Sequence, residues 1–153
     1  MTRALTPARY APDATFEDEV FALRGADIGK MWIALTRRAK EFSVSYTVAK
    51  AGSGVGTVEW TARYLYGGKN QVVNVILSEL TLEDGKIVKQ VDTFDFPRWA
   101  SQALGAPVTI GALTVQSNAL LPAIAVQDVR VLGPEGQAAL HVPHALVVFS
   151  VAS

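Results

Sequence analysis

Residues 55–96 constrain the fold more than any other stretch of the chain. Three runs rich in β-branched and aliphatic residues, 55–66, 71–83 and 86–96, are separated by Gly67-Gly68-Lys69-Asn70 and Glu83-Asp84-Gly85-Lys86. Runs of that length joined by glycine-bearing turns predict an antiparallel meander. Polar residues interrupt these strands: Glu59, Arg63, Asn74, Ser78, Gln90 and Asp92. A simple half-buried sheet would not place them there, and they point to a lined cavity.

Around the meander the chain has an order of its own. Residues 1–12, with Pro7 and Pro12, read as short and turn-prone, and Ala14–Leu23 as a short extended segment ending at Gly25. Asp27 is the expected N-cap of an amphipathic helix over 28–40, because Ile28, Met31, Trp32, Leu35 and Ala39 recur at helical spacing. The cations Arg37, Arg38 and Lys40 near its end suit the helix dipole. Glu41–Ala51 alternates as a first long strand, and 51–56 forms a flexible hairpin loop whose glycines open no helix and so cradle no phosphate. Pro97 breaks the last strand of the meander. Arg98–Leu104 then reads as one short helix ending at Gly105, with Asp95 placed to cap its start.

After Gly105 the composition changes. Residues 106–153 hold three charged side chains (Asp128, Arg130, Glu135), against 25 in the first 105 residues. Within this tail, 126–142 reads as strand–turn–strand around Gly133-Pro134-Glu135-Gly136; the rest is apolar without clear periodicity.

The whole chain is 153 residues, half of them apolar, with a formal charge of zero. That length fits a core of reasonable size. Charge neutrality argues against nucleic-acid or anionic-membrane partners and fits a small, largely apolar ligand or another protein. Cysteine is absent, which excludes disulfides, thiol chemistry and cysteine metal sites. No charged-then-apolar leader and no run of about 18 apolar residues is present, so a cytoplasmic location is expected.

The ordered set "YAPDATFEDEV", "GADI…MW", four long strands, "DGKIVKQVDTFDF" and "W-x-x-QALG" over residues 8–105 resembles the nuclear transport factor 2-like superfamily. Within it the match is to the SnoaL-like branch of polyketide cyclases and ketosteroid isomerases. The resemblance implies an α+β fold. A strongly curved, cone-shaped antiparallel sheet wraps around a pocket closed by helices and dimerises through its outer face. It also implies a helix of several turns before Tyr10, so that helix is expected to be missing. Residues 106–153 have no counterpart. The expected origins of these two departures are a displaced start or a late reading-frame shift of the gene, or else a tail that is an added hairpin. The organisation expected is a SnoaL-like domain over 1–105 and then an atypical tail.

Alternation along the strands sorts side chains into faces. Trp60, Ala62 and Tyr64 share one face; so do Asn74, Ile76 and Ser78, and so do Gln90, Asp92 and Phe94. The resemblance points Trp60, Tyr64, Asn74, Ser78, Gln90, Asp92 and Phe94 inward, with Met31, Trp32 and Leu35 as a wall. An apolar, aromatic lining with few polar groups suits a small ligand.

Asp92, placed among Trp60, Tyr64 and Phe94, is the first acid–base candidate, since desolvation raises a carboxyl towards a useful range. The bland reading is a structural carboxylate. Asp18 is the second candidate. Its segment "ATFEDEV" resembles the ketosteroid isomerase segment whose aspartate moves a proton, although Glu19 stands where that family has proline. The isomerase also needs a tyrosine from the first helix and a protonated aspartate near the position of Ser78, so steroid isomerisation itself is not expected, and a solvated loop acid is the competing account. No inward Arg-x-Asp pair is present for epoxide hydrolysis. His141-Val-Pro-His144 has a spacing metals use, yet two histidines in this tail are better explained by chance, and neither metal nor cofactor is expected. The expected function is cofactor-free isomerisation, cyclisation or dehydration of a hydrophobic carbonyl compound, with Trp32, Trp60, Tyr64, Asn74, Ser78, Gln90 and Phe94 binding it. The alternative is a non-catalytic ligand-binding or dimerisation module.

Overall fold

The computed structural model describes residues 9–115 and 123–148. In chain order these form β1 (Tyr10–Glu17), β2 (Ala22–Arg24), α1 (Ala26–Arg38), β3 (Lys40–Gly52), β4 (Val55–Tyr66), β5 (Asn70–Glu83), β6 (Lys86–Thr93), α2 (Phe96–Leu104), β7 (Val108–Val115), β8 (Ala123–Leu132) and β9 (Ala138–Val148). The fold is α+β, with a curved six-stranded sheet ordered β2-β1-β6-β5-β4-β3 and a three-stranded sheet ordered β7-β8-β9.

The meander stands as the sequence indicates. β4 and β5 pair antiparallel along their whole length, from Val55 opposite Thr81 to Tyr66 opposite Asn70, and β6 pairs back onto the far half of β5. β1 departs from the expected turn-prone start. From Tyr10 onward it is a strand despite Pro12, and it pairs parallel to β6, so the sheet is mixed. The expected behaviour of residues 1–8 lies outside the described residues. The loop over 51–56 is also tighter than expected: β3 runs to Gly52, which pairs with Val55.

α1 begins without a side-chain cap, which corrects the assignment of Asp27. The N-cap is Gly25, with φ of 60°, its N–H donated to the carbonyl of Ala14. A Cβ there would sit 3.0 Å from the carbonyl oxygen of Pro12, so glycine is needed for both the conformation and the approach. Asp27 lies in the first turn and pairs with Lys30 at the surface. Ile28, Met31 and Trp32 are buried, but Leu35 is 43% exposed and forms no wall. Asp95 does cap α2, accepting from the N–H of Arg98.

β5 extends beyond the reach of β6, which leaves its residues 70–76 without a strand neighbour on that side. Gln102 of α2 takes that place: its Oε1 accepts from the N–H of Val73 at 2.7 Å and its Nε2 donates to the Val73 carbonyl at 3.2 Å. The side chain thus behaves as a one-residue strand and fixes α2 to the sheet.

The charge-poor segment contributes three strands where the sequence indicates two. Val108 and Val126 are buried in the same cluster as Tyr10, Phe16, Trp32 and Trp60. The inward face of this small sheet changes parity along its length. Val108 and Ile110 face inward, then Leu113; along β8 Val126 and Val129 face inward, and along β9 Val142 and Ala145, each two separated by two exposed residues. The reversal falls on the row of Gly111, Asp128 and Pro143, between the pairs Ile110–Val129–Val142 and Ala112–Gln127–His144. Asp128 has φ of 50°, and a Cβ on Gly111 would meet the Asp128 Cβ at 2.9 Å.

Candidate active site

The register places side chains on the inner face of the large sheet as alternation indicates. Trp60 stands opposite Ile76, Ala62 opposite Asn74, Ser78 opposite Asp92, and Leu80 opposite Gln90. Glu59 and Arg63 have the opposite parity, and Arg63 binds Ser45 at the surface. Among the described residues, the buried polar side chains are Ser78, Gln90 and Asp92.

These three are linked. Asp92 Oδ1 accepts from Ser78 Oγ at 2.5 Å and from Gln90 Nε2 at 2.9 Å. Ser78 Oγ in turn accepts from Trp60 Nε1 at 2.8 Å. At the other end, Gln90 Oε1 accepts from the Tyr10 hydroxyl at 2.6 Å, and that hydroxyl accepts from Trp32 Nε1 at 3.0 Å. The chain Trp32–Tyr10–Gln90–Asp92–Ser78–Trp60 spans α1, β1, β6, β5 and β4. Trp32 also packs edge-on against Phe16 and Trp60, with ring centroids 5.5 and 6.0 Å apart.

Asp92 is 4% exposed. Burial pushes its carboxyl up to about 6, against the opposing pull of the Ser78 and Gln90 hydrogen bonds. Oδ2 of Asp92 has no donor among the described residues. Burial also raises the Tyr10 phenol well above its usual range.

The other expected site residues divide. Tyr64 turns towards α2: its hydroxyl accepts from Trp99 Nε1 at 2.7 Å, and burial raises its phenol too. Asn74 is half-buried on the inner face, its amide without a hydrogen-bond partner among the described residues. Phe94 lies just past β6, half-buried, its ring 6.3 Å from that of Phe96. Asp18 closes the β1–β2 turn, and its Oδ1 accepts from the N–H groups of Val20 (2.7 Å) and Phe21 (2.6 Å). The solvated loop acid expected as its alternative does not describe it. Asp18 is half-buried, and burial raises its carboxyl to about 7, with the charges of Asp92 and Glu19 adding to the rise.

Tyr10 and Glu19 are not singled out by the sequence. Glu19 Oε1 accepts from the N–H of Phe94 at 3.2 Å. A cavity of about 360 Å³ lies on the opposite face of the sheet, between Lys50, Thr57, Glu79, Thr81, Lys89 and Val91, and holds none of the expected site residues. In the small sheet, His141 Nε2 lies 2.8 Å from Asp128 Oδ1, and no group of three metal-ligating side chains occurs among the described residues.

No protein-family model matches the sequence, and neither does any curated protein. Solved structures do match in shape. A hypothetical protein of ketosteroid isomerase-like fold from Catenulispora acidiphila, in complex with trimethylamine, aligns at a TM-score of 0.56 and 16% identity over 63% of this chain and 78% of its own. The putative SnoaL-like polyketide cyclase of Shewanella putrefaciens aligns at 0.55 and 18% over 67% and 79%. A nuclear transport factor 2-like protein of unknown function from Burkholderia pseudomallei aligns at 0.50 and 18% over 57% and 74%. The chain therefore has the nuclear transport factor 2-like fold, shared with ketosteroid isomerase-like and SnoaL-like proteins. Fold alone does not fix activity.

Proposed function

We propose that this chain binds a small hydrophobic carbonyl compound within the curved sheet and isomerises, cyclises or dehydrates it without a cofactor, Asp92 moving the proton. The observation that carries this is the state of Asp92: a buried carboxyl, raised to about 6, held by one oxygen with the other unengaged. A base of that strength in an apolar surrounding is matched to proton abstraction near neutral pH. Ser78 and Gln90 hold Asp92 in place, and the half-buried Asn74 amide is left to orient the ligand. Trp32, Trp60, Tyr64 and Phe94 supply apolar wall. The protein works in the cytoplasm as a homodimer through the outer sheet face, where Val75 and Leu77 are 48% and 38% exposed.

One observation favours a second reading, a non-catalytic ligand-binding or dimerisation module: the groups around Asp92 satisfy one another in an unbroken chain, as structural polar residues do. The experiment is a panel of hydrophobic enones and β-hydroxy ketones, with binding read by tryptophan fluorescence and turnover by absorbance, on the wild type and Asp92→Asn. Turnover that falls about 10²–10⁴-fold with binding retained is the expected result. Turnover retained in Asp92→Asn removes Asp92 from the mechanism. Binding without turnover in either protein establishes the module.

A further inference from the structure

The polar chain that runs through Asp92 has a fixed direction. Its two ends are indoles, and an indole N–H can only donate. Trp32 Nε1 donates to the Tyr10 oxygen at 3.0 Å, and the Tyr10 hydroxyl hydrogen turns to Gln90 Oε1 at 2.6 Å. With its oxygen engaged by Tyr10, the Gln90 amide faces Asp92 with Nε2, which donates to Oδ1 at 2.9 Å. From the other end Trp60 Nε1 donates to Ser78 Oγ at 2.8 Å, which leaves the Ser78 hydrogen for Asp92 Oδ1 at 2.5 Å. Every bond runs inward, and both arms end on the same oxygen of one carboxyl.

This convergence decides where Asp92 can carry a proton. A hydrogen on Oδ1 would meet two donors and no acceptor, whereas Oδ2 takes no hydrogen bond among the described residues. One rearrangement would open Oδ1 to a proton: a half-turn of the Gln90 amide, which brings Oε1 to Asp92 as an acceptor. Tyr10 opposes that turn. Nε2 would then face the Tyr10 oxygen, already accepting from Trp32, and the Tyr10 hydrogen would lose its acceptor in a buried site, a costly outcome.

We propose that Tyr10 is a positioning residue of this site: braced by Trp32, it locks the Gln90 amide so that Asp92 takes up and returns its proton at Oδ2 alone. For the reaction this rests on the proton chemistry proposed for Asp92; the lock itself stands apart from it. The C–H proton passes to Oδ2 as its electron pair moves towards the carbonyl, and Oδ2 gives the proton back as the new C–H bond forms. With the amide free to turn, the captured proton would settle on Oδ1, between Asp92 and Gln90, and be withheld from the return step. The charge that acts across the interior with Asp92 is that of Asp18 on the β1–β2 turn. Glu19 of that turn is bound to the Phe94 N–H, the α1 charges Asp27 and Lys30 pair at the surface, and no described lysine, arginine or histidine pairs with Asp92. Substitutions within the chain of neutral partners leave all of these charges in place, so the titration of Asp92 then reports the hydrogen bonds.

The test is a carboxyl-carbon NMR titration of the full chain labelled at aspartate, in the wild type, Tyr10→Phe, Gln90→Met and the double variant. Tyr10→Phe should raise the Asp92 midpoint by about half a unit or more, because the freed amide turns and accepts from the protonated form. Gln90→Met removes a donor from the carboxylate and should raise it by about one unit. Adding Tyr10→Phe to Gln90→Met should then move it no further, because Tyr10 acts through Gln90. Wherever turnover is found, its acid limb should follow the Asp92 midpoint upward in Tyr10→Phe. A midpoint unmoved by Tyr10→Phe, or moved as much by it in the Gln90→Met background, overturns the lock. If Tyr10→Phe fails to fold, the wild type decides. Nuclear Overhauser contacts between the Gln90 Nε2 hydrogens and Ser78, whose Oγ lies 3.5 Å from Nε2, should persist both below and above the Asp92 midpoint of about 6. Their loss on the acid side shows the amide turning and overturns the lock. A lock that stands in a protein without turnover establishes the positioning and removes the carbonyl chemistry.

Discussion

Asp92→Asn makes a sharp prediction about stability as well as activity. In the unfolded chain the carboxyl ionises near 3.8; in the fold it keeps its proton to about 6. Below about pH 4 both states are protonated and burial costs no ionisation energy. Between pH 4 and 6 the folded chain holds more protons than the unfolded one, so stability falls as pH rises, and above about 6 the loss is complete. A rise from 3.8 to about 6 corresponds to about 3 kcal/mol. The asparagine carbonyl can still accept from Ser78 and Gln90, but its amide N–H groups take the place of an oxygen that has no hydrogen-bond partner among the described residues, which costs about 1–2 kcal/mol. The variant should therefore be less stable than the wild type by about 1–2 kcal/mol at pH 4 and more stable by a similar amount at pH 7.5. Removing the Asp92 charge also lowers Asp18, which adds to the gain at high pH. Urea denaturation of both proteins at half-unit pH steps would show the curves crossing. Parallel curves would refute the claim that Asp92 is buried as an acid raised by desolvation.

Three further outcomes are expected. Ser78→Ala leaves the Trp60 indole N–H without its acceptor and removes a donor from Asp92, so it should cost about 1–3 kcal/mol in denaturant melts at neutral pH; an unchanged midpoint would show the network to be dispensable. Gly111→Ala forces a methyl to 2.9 Å from the Asp128 Cβ, and the small sheet should lose about 1–3 kcal/mol; a melt superimposable on the wild type would show that the row yields freely. Sedimentation should find a dimer that Val75→Lys with Leu77→Lys converts to monomer, and a wild type that is monomeric at high concentration would remove the outer face as an interface.

The sequence is legible where its periodicity is intact. Away from the register shift at Thr81–Leu82, β4, β5 and β6 alternate between glycine turns, so parity groups the polar side chains within each strand, and the resemblance then turns Trp60, Ser78, Gln90 and Asp92 to one face. β7 escapes such a reading because Gly111, Asp128 and Pro143 reverse the inward face midway, which erases a period of two in all three tail strands. Tyr10 escapes it for another reason. Its partner Gln90 is 80 residues away, brought close by a parallel pairing that no local pattern announces, and Pro12 makes its strand read as a turn. The N-cap of α1 reads as Asp27 because the true cap is a backbone conformation at Gly25, held against Pro12.

Gln102 gives one backbone amide an unusual meaning. The Val73 N–H is protected by a helix side chain, while its neighbours along β5 facing β4 are protected by a strand. Hydrogen exchange at Val73 would then time the undocking of α2 by itself, and exchange at the β4-bonded amides the opening of the sheet. If the two rates coincide, α2 and the meander open as one cooperative unit. If Val73 exchanges faster, the helix, and β7 bound to it through Ser101, leaves first while the inner face stays assembled.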